Sequence, residues 1–185
     1  MHGYDGKDLA RSFRTVRANT IKIAEEIAED QYGFRAAPGV RSVAETLAHV
    51  AVTPHFPQRF HGERVTAPDF ALFGAAMKRQ AAEEAALTTK EQILNALRTG
   101  GEEFANWLET LTDDVLGERV TFPAGVDPSS KTRFEMLLGT KEHEMHHRGQ
   151  LMLIERMLGI VPHLTRDFQA RMAEFQKQQS ATAGS

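Results

Sequence analysis

The chain has no cysteine, which excludes disulfides, a cysteine nucleophile and thiolate-held zinc or iron–sulfur sites, and leaves nitrogen and oxygen to bind any metal. It also lacks an apolar run of about eighteen residues, the length that would read as a membrane-spanning helix. Its first residues, Met1-His2-Gly3-Tyr4-Asp5, have neither the basic region nor the apolar stretch of a secretory signal. A cytoplasmic protein is expected. Excess charge of one sign is missing too: 22 Lys and Arg stand against 25 Asp and Glu, a net of -3. Such a balance gives no global attraction to polyphosphate, so neither nucleic acid nor a membrane is an expected partner. What is present, 41% apolar and 25% charged residues in a chain of 185, is the composition of one folded domain with one core. That domain is expected over residues 1–179, with the small-residue stretch 180–185 as a frayed tail.

Periodicity predicts an all-α protein. Leu9, Phe13, Val16, Thr20, Ile23 and Ile27 recur at helical spacing, with an end expected near Gln31-Tyr32-Gly33. A second helix starts at the capping box Ser42-Val43-Ala44-Glu45 and breaks or bends at Pro54 and Pro57. The alanine-rich stretch from Asp69 to Leu87 holds a short or bent helix. A third long helix follows Thr88-Thr89-Lys90-Glu91, read as a capping box with Thr88 and Glu91, and carries Ile93, Leu97, Gly100, Phe104 and Leu108. Gly100 and Gly101 there permit close packing or a bend. Strands, if any, are minor and fall near Arg119 to Gly125. The fourth long helix runs from about Lys131 to Leu158, with Thr132 and Glu135 as its cap and Gly159 as its stop. A last amphipathic segment covers Asp167 to Gln178.

The chemistry concentrates in Lys141-Glu142-His143-Glu144-Met145-His146-His147-Arg148-Gly149-Gln150. His143 and His147 share one helix face about 6 Å apart along the axis, close enough to meet on one metal ion. His146 is rotated away and is not assigned as a ligand. Met136, Thr140, His143, His147, Leu151, Ile154 and Leu158 form one apolar stripe, so the two imidazoles occupy core positions. Buried imidazoles need partners, which either a shared cation or hydrogen bonds to neighbouring helices would supply. Phe134, Leu138, Met145 and Met152 form a second stripe nearly opposite, which another segment or a second subunit must cover; a homodimer is expected. Glu144 and Arg148 are the candidate general base and anion anchor, or else an i,i+4 ion pair on a solvated face.

Two motifs match in letters. His143-Glu144-Met145-His146-His147 satisfies the His-Glu-x-x-His pattern of zinc peptidases, but Gln150 and Leu153 replace the glycine and histidine of its longer metzincin form. Glu144-Met145-His146-His147 matches half of a di-iron bundle site, whose second half is absent.

Two segments carry a family resemblance. Ser42-Val43-Ala44-Glu45-Thr46-Leu47-Ala48-His49-Val50 on the second helix, and His143 to Leu151 followed by Leu158-Gly159 and Pro162, resemble the DinB/YfiT-like superfamily of bacterial helical bundles. The resemblance spans roughly residues 5–165. It implies a four-helix bundle with a long crossover between helices two and three and extra short helical segments. It also implies a metal site of His49, His143 and His147. Helical spacing alone would not select His49, which points away from the face on which Val43, Ala44, Leu47, Ala48, Val50 and Ala51 centre: a broad two-sided helix buries it beside Phe56 and Phe60, and otherwise it is exposed or faces a subunit. In a simple up-down-up-down bundle helices two and four are diagonal, so the ligands must meet across the core or after the crossover. His55 and His61 flank the proline-rich end of the second helix and either line a pocket or, as the default expectation, face solvent.

Three neutral histidines leave a position open on a divalent transition metal, zinc or nickel being expected, and that is catalytic-type coordination. The resemblance includes metal-dependent thiol S-transferases and hydrolases, so a small-molecule substrate, with a low-molecular-weight thiol as one class, is expected. The alternatives are a non-catalytic, metal-stabilised stress-response or binding module, and a His-Glu-x-x-His zinc peptidase.

Overall fold

The computed structural model describes residues 3–183. Four helices form the bundle: α1 (Gly6–Glu26), α2 (Val43–Val52), α5 (Lys90–Glu109) and α7 (Arg133–Met157). Between them lie α3 (His55–Gly62), α4 (Phe70–Ala85) and α6 (Asp113–Gly117), and α8 (His163–Ala183) follows. Two short antiparallel strands, β1 (Arg119–Thr121) and β2 (Ser130–Thr132), pair Val120 with Lys131 just before α7.

Local chemistry sets the helix starts. Reciprocal boxes cap α2 through Ser42 and Glu45 and α7 through Thr132 and Glu135, as the sequence predicts. The box of α5 sits one residue later than expected, on Thr89 and Gln92, because the Gln92 amide oxygen collects the backbone N–H groups of both Thr88 and Thr89. Helix α1 ends earlier than expected, at Glu26. Tyr32 turns back and donates its hydroxyl to the Ala24 carbonyl at 2.7 Å, satisfying one of the last turn's acceptors. Pro57 falls in the first turn of α3, where its missing N–H costs no helical bond. Helix α8 begins before the expected segment and carries helix through residues 180–183 of the expected tail; 184–185 lie outside the described residues.

The packing order departs from an up-down-up-down bundle. Helix α1 packs on α5 and α7, and α2 also packs on α5 and α7, so α2 and α7 are neighbours. Helices α2 and α5 run parallel. The start of α2 hydrogen-bonds the Tyr32 and Phe34 carbonyls, and Lys90 at the start of α5 lies over the Tyr32 ring. Further along both helices, Ala51 approaches Gly100. Two parallel neighbours joined in sequence require a long return, and α3 and α4 provide the expected crossover.

One buried ion pair ties the four bundle helices together. Arg17 of α1 donates to both Glu144 oxygens of α7 at about 3.0 Å, to the Leu97 carbonyl of α5 at 2.9 Å and to the Val50 carbonyl of α2 at 3.1 Å. Both side chains are enclosed. This corrects the sequence reading of α7. Its inward face runs through Leu137, Thr140, Glu144, His147, Leu151 and Ile154, while Met136 and His143 stand at its edge. Glu144 enters the core because Arg17 satisfies it; its expected surface pairing with Arg148 is not formed.

The second apolar stripe is largely covered within the chain. Phe134 and Leu138 pack against the core around Phe13 and Phe104, and Met152 packs against the one around Ile23 and Leu47, leaving Met145 exposed. Further apolar exposure among the described residues lies at Phe70 and Met77 of α4, at Leu153 and Met157, and along α8 at Phe168, Met172 and Phe175. No described helix is long and apolar enough to cross a membrane.

Candidate metal centre

The interface of α2 and α7 brings together His49, His143 and His147. One ring nitrogen from each lies within 4.8 Å of the others. His143 Nε2 is 3.2 Å from His49 Nε2 and 3.2 Å from His147 Nε2. His49 and His147 are buried and His143 is half-buried. Burial of His49 overturns the exposed or subunit-facing position that helical periodicity allowed. Nearly all of α2 is enclosed, because α4 covers the side that α5 and α7 leave open.

Partners outside the cluster orient the rings. His49 Nδ1 lies 2.7 Å from Glu84 Oε1, and Gln80 donates to the same oxygen at 3.0 Å. His147 Nδ1 lies 2.8 Å from Gln150 Oε1. A carboxylate or amide oxygen only accepts, so His49 and His147 each carry their proton on Nδ1 and present a bare Nε2 inward. His143 completes the convergence, and its own Nδ1 is enclosed without a partner among the described residues. Burial, with His147 and His49 close by, pushes the His143 pKa down to about 4, and burial lowers that of His147 as well. Burial thus favours, for His143 and His147, the neutral form that metal coordination requires.

This donor set fits a divalent cation. Protons alone leave lone pairs facing one another, since His143 can place at most one Nε2–H between two acceptors. Three nitrogens arranged tetrahedrally at zinc-like bond lengths are roughly 3.3 Å apart, close to the spacing of two of the three pairs here.

The remaining candidates are placed differently. Glu144, adjacent in sequence, has both oxygens on Arg17. Arg148 makes no hydrogen bond or ion pair among the described residues. His146 is exposed and accepts from Gln150 at 3.1 Å. His55 is half-buried and pairs with Glu83 at 2.7 Å. His61 is not solvent-facing as expected: it is 1% exposed, and its Nδ1 lies 3.0 Å from Arg133 Nη1.

Two clefts adjoin the cluster. One of about 460 Å³ reaches His147 and Gln150 and is bordered by Val40, Arg41, Thr46 and Leu153. The other, about 230 Å³, reaches His143 and is bordered by Thr53, Phe56, His61, Gln80 and Thr140. Sequence reasoning missed Glu84, Gln80, Arg41 and any role for Gln150. The signals were faint: Gln80 and Glu84 are polar residues one turn apart in an alanine-rich stretch, and Gln150 lies one turn beyond His146 and His147.

A family model described as the DinB superfamily matches residues 12–151. YjoA of Bacillus subtilis is 27% identical over 152 residues, covering 82% of this chain and 89% of YjoA. The crystal structure of that DinB-like protein matches with a TM-score of 0.62 at 23% identity, over 82% of this chain and 92% of that one. YfiT from Bacillus subtilis, described as a probable metal-dependent hydrolase with an unusual four-helix bundle topology, matches with a TM-score of 0.65 at 16% identity, over 86% and 91%.

Proposed function

On the premise that the chain belongs to the DinB superfamily, we propose that it is a divalent-metal-dependent enzyme, with His49, His143 and His147 as ligands and a small molecule as substrate. The observation that carries the proposal is the convergence of three Nε2 atoms, two of them stripped of protons by Glu84 and Gln150. When bound, a zinc- or nickel-class ion supplies Lewis acidity and an open position for a nucleophile. Glu84 and Gln150 hold the imidazoles against rotation, and Gln80 holds Glu84 in turn. One cleft reaches His147 and the other His143. The larger can seat a cosubstrate beside His147, with Arg41 at its border to meet an anionic group.

The reaction class is thiol S-transfer or hydrolysis. A low-molecular-weight thiol would provide the nucleophile that a chain without cysteine does not; the description of YfiT favours water. A non-catalytic, metal-stabilised module is the competing reading. The peptidase reading is disfavoured, because Glu144, which would have to act as base, is committed to Arg17.

Elemental analysis of untagged protein beside a His143→Ala/His147→Ala variant tests the metal. About one transition-metal ion per chain, lost from a still-folded variant, is expected; a wild type that takes up none after supplementation rejects the reading. Turnover of an electrophile with and without added thiol then separates transferase from hydrolase, and absence of both leaves the structural module.

A further inference from the structure

The smaller cleft contains groups that the metal reading does not use. Arg133 is fully enclosed, gives its Nε to Glu118 at 2.5 Å and places Nη1 3.0 Å from His61 Nδ1. A guanidinium has protons and no lone pair to offer, so His61 Nδ1 must accept. The proton of His61 is thereby fixed on Nε2. Thr140, 7% exposed, borders the same cleft from α7, one turn before His143. Neither His61 Nε2 nor the Thr140 hydroxyl has a partner among the described residues, and neither is sealed off as Arg133 Nη2 and His143 Nδ1 are. Two donors of side chains more than nine-tenths buried thus border one small space beside a candidate metal ligand.

The electrostatics select the ligand. Among the described residues no carboxylate borders the cleft, and the Arg133 guanidinium stands directly behind His61. The acidic groups around it are already engaged: Glu118 by Arg133 and Arg64, Glu83 by His55 and Arg59, and Glu84 by His49 and Gln80. Phe56, Pro57 and Met136 give the wall an apolar part beside the polar Thr53 and Gln80, which limits the water competing for the two donors. At about 230 Å³ the space suits one small oxygen-bearing group and not a whole large substrate.

We propose that the cleft between α3 and α7 is an oxyanion-binding subsite, in which His61 Nε2–H and the Thr140 hydroxyl receive an anionic oxygen of the substrate, a carboxylate or a carbonyl oxygen gaining charge, next to the metal centre. The proposal rests on the reading of that centre for its place in catalysis, but the subsite is built by other side chains and binds its anion with or without metal.

Acetate is the probe, titrated into metal-free and zinc-supplemented protein and followed by nitrogen NMR of the histidine rings. His61 is expected to carry its proton on Nε2 from pH 5 to 8, and acetate to shift that resonance saturably in both preparations. His61→Phe and Thr140→Val are each expected to weaken acetate about tenfold or more, as befits one lost hydrogen bond to a charged group, without changing zinc content. A proton on Nδ1, an unshifted Nε2 resonance, or equal acetate binding by wild type and Thr140→Val overturns the subsite. Thr140→Val keeps the test decisive if His61→Phe, which strips Arg133 of an acceptor, does not fold. Acetate binding by a protein that takes up no zinc supports the subsite while removing the metal reading.

Discussion

Glu155 is fully enclosed, and neither of its carboxyl oxygens has a partner among the described residues. Burial, with Glu26 near it, raises its pKa to about 7. The folded state therefore binds a proton that the unfolded chain, with an ordinary carboxyl, releases near pH 4.5. Its contribution to stability is complete below that value and disappears as pH rises through about 7. Glu155→Gln, which keeps the shape without the charge, is expected to match wild type near pH 5. At pH 8.5 it should exceed wild type by on the order of 1–3 kcal/mol in urea unfolding. The Arg17–Glu144 pair makes the opposite kind of demand. Glu144→Ala strands a buried guanidinium and is expected to cost about 3–5 kcal/mol, whereas Arg17→Met/Glu144→Leu should recover most of that loss. A folded double variant that still binds metal would identify Glu144 as a structural residue. Gly101 belongs to the same arrangement, since a Cβ there would stand 2.9 Å from Arg17 Cγ. Gly101→Ala is expected to cost roughly 1–3 kcal/mol in the same unfolding experiment.

Among the elements, α4 has the largest role for its modest burial. No residue of it is fully buried, yet it encloses α2 and delivers Glu84 and Gln80 behind His49. Glu84→Ala and Gln150→Ala are each expected to weaken metal binding about 10–100-fold with the bundle intact, measured by competition with a chelator. The legibility of these elements in the sequence follows the same division. Helices with one covered side, α1 and α5, could be read from the spacing of residues such as Phe13 and Leu97, because their apolar faces are the ones that pack. Helix α2 is covered nearly all round, so its moment carried no information about His49, and only the resemblance to a family selected it. The inward face of α7 was misread for a related reason. Glu144 scores as a surface residue until Arg17, 127 positions away, is known to meet it. Capping boxes, which depend on neighbours three residues apart, were the most readable features, and even there Gln92 outcompeted Glu91.

At the scale of the whole molecule, a metal held between α2 and α7 adds its binding energy to the stability of the bundle, because the three nitrogens are assembled only in the folded state. At free metal about a hundred times Kd the gain is about 2.7 kcal/mol. Chelation is expected to lower Tm by several degrees in calorimetry, and the His143→Ala/His147→Ala variant should be insensitive to chelator. The order of the elements along the chain has a consequence in time. His49 and His143 are 94 residues apart, and α7 alone brings His143, His147 and the partner of Arg17. At about 5–20 residues per second, α7 leaves the ribosome roughly 5–20 s after α2. Until then the nascent helices hold a guanidinium that has no carboxylate to meet and a single imidazole waiting for two others. The charge pair and the metal centre are completed together, by the arrival of one helix.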